Sequence, residues 1–312
     1  MEMWEEAAKT EFLGVQVYAF GLYAALGMAA ALIALGLLSR HAKLKQGTAP
    51  LTGALAIVCG LIVSRLFFCL MDRNLGAPVP FNGVLLLTGG GYSMIGAIIG
   101  AAFGAVISAK LTGQSPQRLL DCLAPALLLF IACERLGEGM VEEFGISRPL
   151  VGDLLKGTFL AVEGDYDWRL ATYLLEAIAA LVLAVILLLD LKGGKRPGDT
   201  FILFLILFGA TQVIWESLRF DQHMHLSFVG LQQVMAMMLL AAGVAVAALR
   251  HMKDKKRLAV CALVSLPLAV ALGVCLEFAI DRTQMNRYLL YALFALVMAV
   301  PAFLGIRLRR EN

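Results

Sequence analysis

Charged side chains inside apolar segments are where this sequence could carry chemistry. Arg65, Arg135 and Arg219 lie in or at the ends of strongly apolar stretches, and a buried guanidinium needs a carboxylate or a phosphate partner. Its planar fork of N–H donors binds phosphate oxygens bidentately, which favours a lipid phosphate as the ligand. Nearby glutamates could hold the arginines in place, or one of them could act as a base. These are Glu138, Glu142, Glu176 and Glu216.

Each feature also has a purely structural interpretation. The acidic run after Glu134 could be a solvated loop that follows a tight helix pair. Glu216 and Arg219 are three residues apart and could form only a local salt bridge on one helix face. Asp121 could cap a helix or pair with a loop cation. His225, in a predicted outer loop, could be an ordinary exposed histidine.

Regular glycine spacing marks the element that must pack most tightly. Gly96, Gly100 and Gly104 recur at four-residue intervals, so they share one face of a helix. A glycine face lets a second backbone come close, which is how helices pack in lipid. The spacing predicts close contact between this helix and a neighbour.

The composition is that of a membrane protein. Of 312 residues, 60% are hydrophobic and 16% charged, with a net charge of +3; soluble domains are less apolar and carry more charge. The small net charge gives no indication of nucleic-acid binding. Six cysteines form no CxxC pair and no His/Cys cluster, so we expect buried thiols and neither a disulfide framework, a metal site nor a cofactor.

Nine apolar segments predict an all-α, polytopic helical membrane protein. Basic loops follow the first, third, fifth and seventh segments and the ninth, which places them on one side if all nine cross. By the positive-inside rule the N-terminus is outside and the C-terminus cytoplasmic. The N-terminus is acidic, so the first apolar run is expected to be a permanent span. The segments cover residues 14–38, 51–71, 85–109, 119–133, 171–190, 200–217, 229–249, 258–279 and 287–306.

The opposite, outer side is acidic and carries the one long predicted loop, residues 134–170. A long loop in a compact membrane protein usually carries function or forms a small cap. Tyr166 and Trp168 at its end suit the level of the lipid headgroups. The arginines and glutamates named above all fall in the outer half or at the outer edge, with Arg65 deeper.

Residues 15–249 resemble the prolipoprotein diacylglyceryl transferases. The likeness rests on six segments in order, and on this basis Arg65, Arg135, Glu176, Glu216 and Arg219 match family positions, with Gly90 and Ser93 in the glycine-rich signature region. The segments are VYAFGLYAALG, GLIVSRLFFCLM, GGGYSMIGAIIGA, LLDCLAPALLLFIACERLGEGMVEEFG, ATYLLEA, and WESLRFD followed by LSFVGLQQVMA.

The resemblance implies a seven-span bacterial inner-membrane transferase with its N-terminus outside. Its reaction would move the diacylglyceryl group of phosphatidylglycerol to the lipobox cysteine thiol of a prolipoprotein, with glycerol phosphate leaving. Arg135 and Arg219 would hold the phosphate and stabilise its departing charge. Arg65, Gly90, Ser93, Glu176, Glu216 and His225 are expected to line the substrate site.

The chain departs from the family at several polar positions. The signature histidine falls at Ser93 or Met94, and the first-span tyrosine at Phe20. In the arginine motif, Glu138 stands where the family has asparagine. Glu143 keeps the glutamate of that motif, while Glu142 stands in place of its glycine. A base for the thiol could be Glu138, Glu142 or His225.

Two domains are expected: residues 1–250 as the transferase-like core, and residues 251–312 as two added spans with a basic cytoplasmic tail. Two other functions stay open. The chain could bind or transport a phospholipid or lipid-anchored peptide without catalysis, or it could be a transferase for a different acceptor.

Overall fold

The computed structural model describes residues 9–12, 15–74, 91–141, 145–150, 152–153, 155–164, 166–193, 196–220, 225–226, 228–283 and 285–309. Nine helices lie within these ranges, and eight of them are long and apolar enough to cross a membrane. The chain is therefore an all-α, multi-pass membrane protein, as predicted. The helices are α1 Ala19–His41, α2 Thr48–Asn74, α3 Met94–Thr112, α4 Pro116–Glu138, α5 Thr172–Lys192, α6 Asp199–Leu218, α7 Leu231–His251, α8 Lys256–Arg282 and α9 Arg287–Arg309.

Three short antiparallel hairpins connect or precede the helices. They are β1 Lys9–Phe12 with β2 Val15–Tyr18, β3 Ala161–Glu163 with β4 Trp168–Leu170, and β5 His225–Leu226 with β6 Val229–Gly230. Residues 15–18, predicted to open the first span, belong to β2 instead. β3 and β4 lie in the connection between α4 and α5, so the predicted outer loop contains a small ordered cap.

Helix α4 is the one of these nine that is not apolar enough to be counted as a membrane span, because it carries several charged residues. At 23 residues it is about 34 Å long, and it extends beyond the predicted segment 119–133 at both ends. Near its start the Asp121 carboxylate accepts hydrogen bonds from the backbone N–H groups of Gly198 and Phe201, at 2.6 and 2.9 Å. Asp121 thus caps the N-terminus of α6, and α4 runs from that end of the bundle to the other.

The glycine face of α3 packs against α2, as predicted. A Cβ atom at Gly96 would lie 2.9 Å from Cα of Ser64, and one at Gly104 would lie 2.5 Å from the carbonyl oxygen of Leu55. Real Cβ contacts are not that short, so only glycine permits this approach. The helix begins at Met94, with Ser93 as its N-cap, whereas residues 85–90 of the predicted segment lie outside the described residues.

Helices α8 and α9 share the hydrophobic core of the preceding helices. Phe294 and Met298 of α9 are buried in the same cluster as Phe204 and Ile206 of α6. Arg309, predicted to lie in a basic tail, is instead buried at the end of α9 and pairs with Asp190 of α5, 2.8 Å between Nη2 and Oδ2. The last two helices are therefore integral to the packing.

Candidate functional site

Two arginines from distant parts of the chain meet at one end of the bundle. Arg135 lies in the last turn of α4, and Arg219 directly follows the last residue of α6. Glu138 lies one turn beyond Arg135 on the same face of α4, and Glu176 lies in the second turn of α5. All four side chains are buried, with 1–4% of their surface exposed.

The four charges form a closed ring. Arg135 pairs with Glu138 through Nη1 and Oε1, and its Nε lies 2.9 Å from Oε2 of Glu176. Nη1 of Arg219 lies 3.0 Å from Oε2 of Glu138 and 3.2 Å from Oε1 of Glu176. Each carboxylate thus contacts both guanidinium groups. This mutual neutralisation is the condition under which buried charges are tolerated.

A glutamine extends the ring to a third acid. Nε2 of Gln212 donates to Oε1 of Glu216 at 2.9 Å and to Oε2 of Glu176 at 3.3 Å. The predicted site residue Glu216 therefore reaches the ring through Gln212, which the sequence analysis missed. The available signal was spacing, because Gln212 and Glu216 are four residues apart on one helix face.

Backbone contacts fix the position of Arg219. Its backbone is extended, with φ −68° and ψ 143°, and pairs with Ser147 in an isolated β-bridge. The N–H of Phe220 donates to the carbonyl of Ile146 at 2.9 Å. The α4–α5 connection thereby holds the chain after α6, so Arg219 points back to α4 and α5 and is not limited to a local pair with Glu216.

Gly145 shapes the other side of the ring. Its φ of +66° is one that side chains rarely adopt, and a Cβ there would lie 3.2 Å from Oε2 of Glu138 and 2.7 Å from Cβ of Tyr173. Its carbonyl accepts from the N–H of Tyr173 at 2.8 Å and from the Thr172 hydroxyl. Gly145 therefore holds the start of α5, and with it Glu176, against α4.

Arg65 and Ser93 both contact the backbone around the start of α3, next to the ring. Nη1 of Arg65 donates to the Gly91 carbonyl at 2.9 Å, and the guanidinium lies over the rings of Phe68 and Tyr92. The Ser93 hydroxyl caps α3 by accepting from the N–H of Gly96 at 3.2 Å. Both residues order the start of α3.

Met94 links this contact to the ring. Its sulfur lies 2.9 Å from Nη2 of Arg135. A thioether is a weak acceptor, so this face of Arg135 is held less firmly than the faces that the glutamates occupy.

Four expected site residues fall on parts of the chain about which the structure says little. Gly90, Glu142 and Glu143 lie outside the described residues. His225 pairs with Gly230 through its backbone in β5 and β6, and its side chain lies outside the described part. Their roles stay predictions.

The ring is closed, and with Glu216 and Glu134 beside it the site contains more acids than bases. Beside Glu176 and Gln212 there is a cavity of about 10 Å³, which is room for roughly one water molecule. Glu134, next to Arg135 on α4, is a further carboxylate at its edge, 3.7 Å from Nε of Arg135. Within the described residues, a phosphate would reach Arg135 by displacing a carboxylate or by approaching past Met94.

A family model described as prolipoprotein diacylglyceryl transferase matches residues 9–249. The chain belongs to this family. Both arginines and all four glutamates of the site lie within the matched range, whereas α8 and α9 lie beyond it. The family assignment predicted from the sequence is confirmed.

Three bacterial members of the prolipoprotein diacylglyceryl transferase family, each named phosphatidylglycerol–prolipoprotein diacylglyceryl transferase, illustrate the distance within the family. The protein from Bacillus licheniformis is 26% identical over 208 residues, 64% of this chain and 76% of its own. The protein from Staphylococcus xylosus is 28% identical over 203 residues, which are 63% of this chain and 72% of its own. The protein from Shouchella clausii is 26% identical over 243 residues, which are 74% of this chain and 85% of its own.

Proposed function

We propose that this protein transfers the diacylglyceryl group of phosphatidylglycerol to the lipobox cysteine of a prolipoprotein. The observation that carries the proposal is the convergence of Arg135 and Arg219 in one buried ring, in a chain of this family. Guanidinium pairs suit the phosphodiester of the lipid, which becomes more negative as the glycerol phosphate leaves.

The reaction assigns a distinct task to each part of the site. The thiolate of the cysteine attacks the glyceryl carbon, the carbon–oxygen bond to phosphate breaks, and glycerol phosphate departs with the electron pair. Arg135 and Arg219 stabilise that departing charge. Glu138 and Glu176 hold both guanidinium groups before the lipid arrives, so lipid binding exchanges carboxylate partners for phosphate oxygens. Arg65, Ser93 and Glu216 support the surrounding helices.

The proposed surroundings are the bacterial inner membrane, with the N-terminus outside and the C-terminus cytoplasmic. Residues 1–250 form the catalytic core and residues 251–312 an added helix pair. The substrates are phosphatidylglycerol and the signal peptide of a prolipoprotein. Basic residues at one end of the bundle and the ring at the other support this orientation.

A test uses the purified protein in vesicles of phosphatidylglycerol with a lipobox peptide. Mass spectrometry should show the diacylglyceryl mass added to cysteine and glycerol phosphate released. Arg135→Ala and Arg219→Ala should abolish transfer and weaken binding of phosphatidylglycerol while leaving membrane insertion intact. Arg169→Ala is the matched control, because Arg169 pairs with Asp167 at the protein surface. Unchanged lipid binding in both site variants would refute the phosphate contact.

The closed ring favours one second candidate, a protein that binds a phospholipid or lipopeptide without turnover. Its arginines are already neutralised, and the adjoining cavity is small. Tight binding of phosphatidylglycerol by the wild-type protein with no product after prolonged incubation, and no complementation of a transferase-depleted strain, would establish that alternative.

A further inference from the structure

Thiol transfer needs a group that accepts the proton of the cysteine. We propose that Glu134 is that proton acceptor, an inference that rests on the proposed function. Glu134 was seen in the sequence only as part of an acidic cluster, and the structure gives it a distinct environment.

Glu134 lies at the edge of the ring and pairs with Arg135 at a longer distance than the ring glutamates do. Its nearest guanidinium contact is 3.7 Å, to Nε of Arg135, and its Oε2 is buried without a hydrogen-bond partner among the described residues. Its side chain is 18% exposed, against 3% for Arg135. Part of the Glu134 side chain therefore reaches the surface, and its buried Oε2 lies within a few ångströms of the place where the phosphate would bind.

The other acids of the site are occupied. Glu138 and Glu176 each contact both guanidinium groups. Glu176 lies 2.9 Å from Arg135 and 3.2 Å from Arg219, and Glu138 lies 3.0 Å from Arg219. A proton on either would disrupt two ion pairs. Glu216 accepts the hydrogen bond of Gln212. Among the described residues, the ion pair of Glu134 that a proton would weaken is the one of 3.7 Å with Arg135.

The charges of the site favour uptake of one proton. Arg135 and Arg219 carry two positive charges, and the four carboxylates carry four negative charges if all are ionised. A buried excess of negative charge is costly. Protonating the carboxylate outside the ring reduces that excess and leaves the ring intact.

The position of Glu134 on α4 also suits an incoming peptide. Three residues later on the helix, Gly137 lies against Phe20 of α1, where a Cβ would be 3.2 Å from the Phe20 ring. Glu134 therefore lies between the face of α4 that contacts α1 and the face that carries the ring. A cysteine that reaches the ring from the side of α1 would meet Glu134 before the arginines.

In the proposed step the S–H proton moves to a carboxylate oxygen of Glu134 as the sulfur attacks the glyceryl carbon. The new bond is carbon–sulfur, and the bond broken is that between the glyceryl carbon and the phosphate oxygen. The leaving glycerol phosphate is a monoester, which can take up a proton near neutral pH. Glu134 can pass its proton to that group, which returns the site to its starting state.

The test compares Glu134→Gln with Glu134→Asp in vesicles of phosphatidylglycerol, using two lipobox peptides that carry cysteine or selenocysteine. A selenol is ionised at neutral pH and needs no base. With the cysteine peptide we expect Glu134→Gln to lower kcat by about 10²–10⁴-fold and leave KM for the lipid little changed. Glu134→Asp should retain part of the activity, and the selenocysteine peptide should restore most of it to Glu134→Gln.

Glu163→Gln, at an exposed position on β3, is the control and should behave as wild type. Wild-type kcat and an unchanged pH profile in Glu134→Gln would overturn the inference, as would an equal loss with both peptides. Wild-type protein inactive with both peptides would instead overturn the proposed function, and this inference with it.

Discussion

At the scale of single residues, the site is defined by charges that satisfy one another. Arg135 and Arg219 share the same two carboxylates, so each charge in the ring has two partners of opposite sign. Removing one member of a buried ion pair costs about 3–5 kcal/mol, because the charge that remains is neither solvated nor paired. The ring therefore stabilises the ends of α4, α5 and α6 that meet there.

Replacing Arg135 with glutamine tests that coupling. We expect Arg135→Gln to lower the free energy of unfolding by about 3–5 kcal/mol, measured by denaturation in detergent micelles. The matched change Arg169→Gln removes a pair whose side chains are 24% and 30% exposed and should cost about 1 kcal/mol or less. Equal, small effects for both would mean that the ring does not stabilise the fold.

The residue types in the sequence predicted which side chains would form the ring better than they predicted how those side chains pair. A buried arginine demands an anionic partner, so Arg135, Arg219, Glu138 and Glu176 could be expected together once the topology placed them at one end. The partner of each guanidinium could not be predicted, because it depends on how α6 ends in extended backbone and on how the α4–α5 connection holds Arg219. The position of Glu134 at the edge of the ring could not be predicted for the same reason.

At the scale of elements, the close approach of α2 and α3 was the most predictable feature. It depends on the four-residue spacing of glycines, which is a local property of one helix. Contacts between distant connections were harder to predict from the sequence, because the residues that form them lie far apart along the chain. The capping of α6 by Asp121 from α4 is an example: capping was one of two predicted roles for Asp121, but the helix that it caps could not be inferred.

Gly104→Ala should force α2 and α3 apart. The added Cβ would lie 2.5 Å from the carbonyl oxygen of Leu55 and 2.8 Å from the Ala56 nitrogen, and overpacking of this kind costs about 1–3 kcal/mol. Gly36→Ala in α1 is the control, because its Cβ would meet nothing within 4 Å. Thermal unfolding in detergent should show a lower midpoint for Gly104→Ala only, and a similar midpoint for both variants would contradict the packing argument.

Helix α8 braces the connection that holds Arg219. Nη2 of Arg148 lies 3.0 Å from Oδ1 of Asp281, and the same guanidinium lies 4.9 Å from the centre of the Phe220 ring. Asp281 belongs to α8, which lies beyond the family match, whereas Phe220 follows Arg219 directly. Through Asp281, the helix pair beyond the family match therefore contacts the connection that holds Arg219.

Reversing the charges of this brace tests whether it matters for transfer. Arg148→Asp and Asp281→Arg alone should each lower the transfer rate about five-fold, the equivalent of roughly 1 kcal/mol for a partly exposed pair. The double variant should recover most of the loss. Lys156→Asp, which breaks an exposed pair with Asp153, should have no effect. A double variant as slow as the worse single one would show that the pairing itself is irrelevant.

At the scale of the whole molecule, the two ends of the bundle differ in chemistry. One end holds the ring, the β3–β4 hairpin and the Arg148–Asp281 pair. At the other end the loops are basic and contact one another: Lys45 donates to the Thr112 carbonyl at 3.3 Å, and Arg250 pairs with Asp199 at 3.1 Å. Alternating helix direction brings these connections together, and the positive-inside rule predicts that this end faces the cytoplasm.

Cysteine labelling should therefore find the ring on the outside. In a variant without the six native cysteines, Tyr166→Cys lies at a position that is 99% exposed in the connection between α4 and α5. A membrane-impermeant maleimide should label it in intact cells. Asp254→Cys, in the turn between α7 and α8, should react only after permeabilisation. The reverse pattern would place the arginine ring at the cytoplasmic face, where a translocated lipobox cysteine could not reach it, and would exclude both the orientation and the proposed reaction.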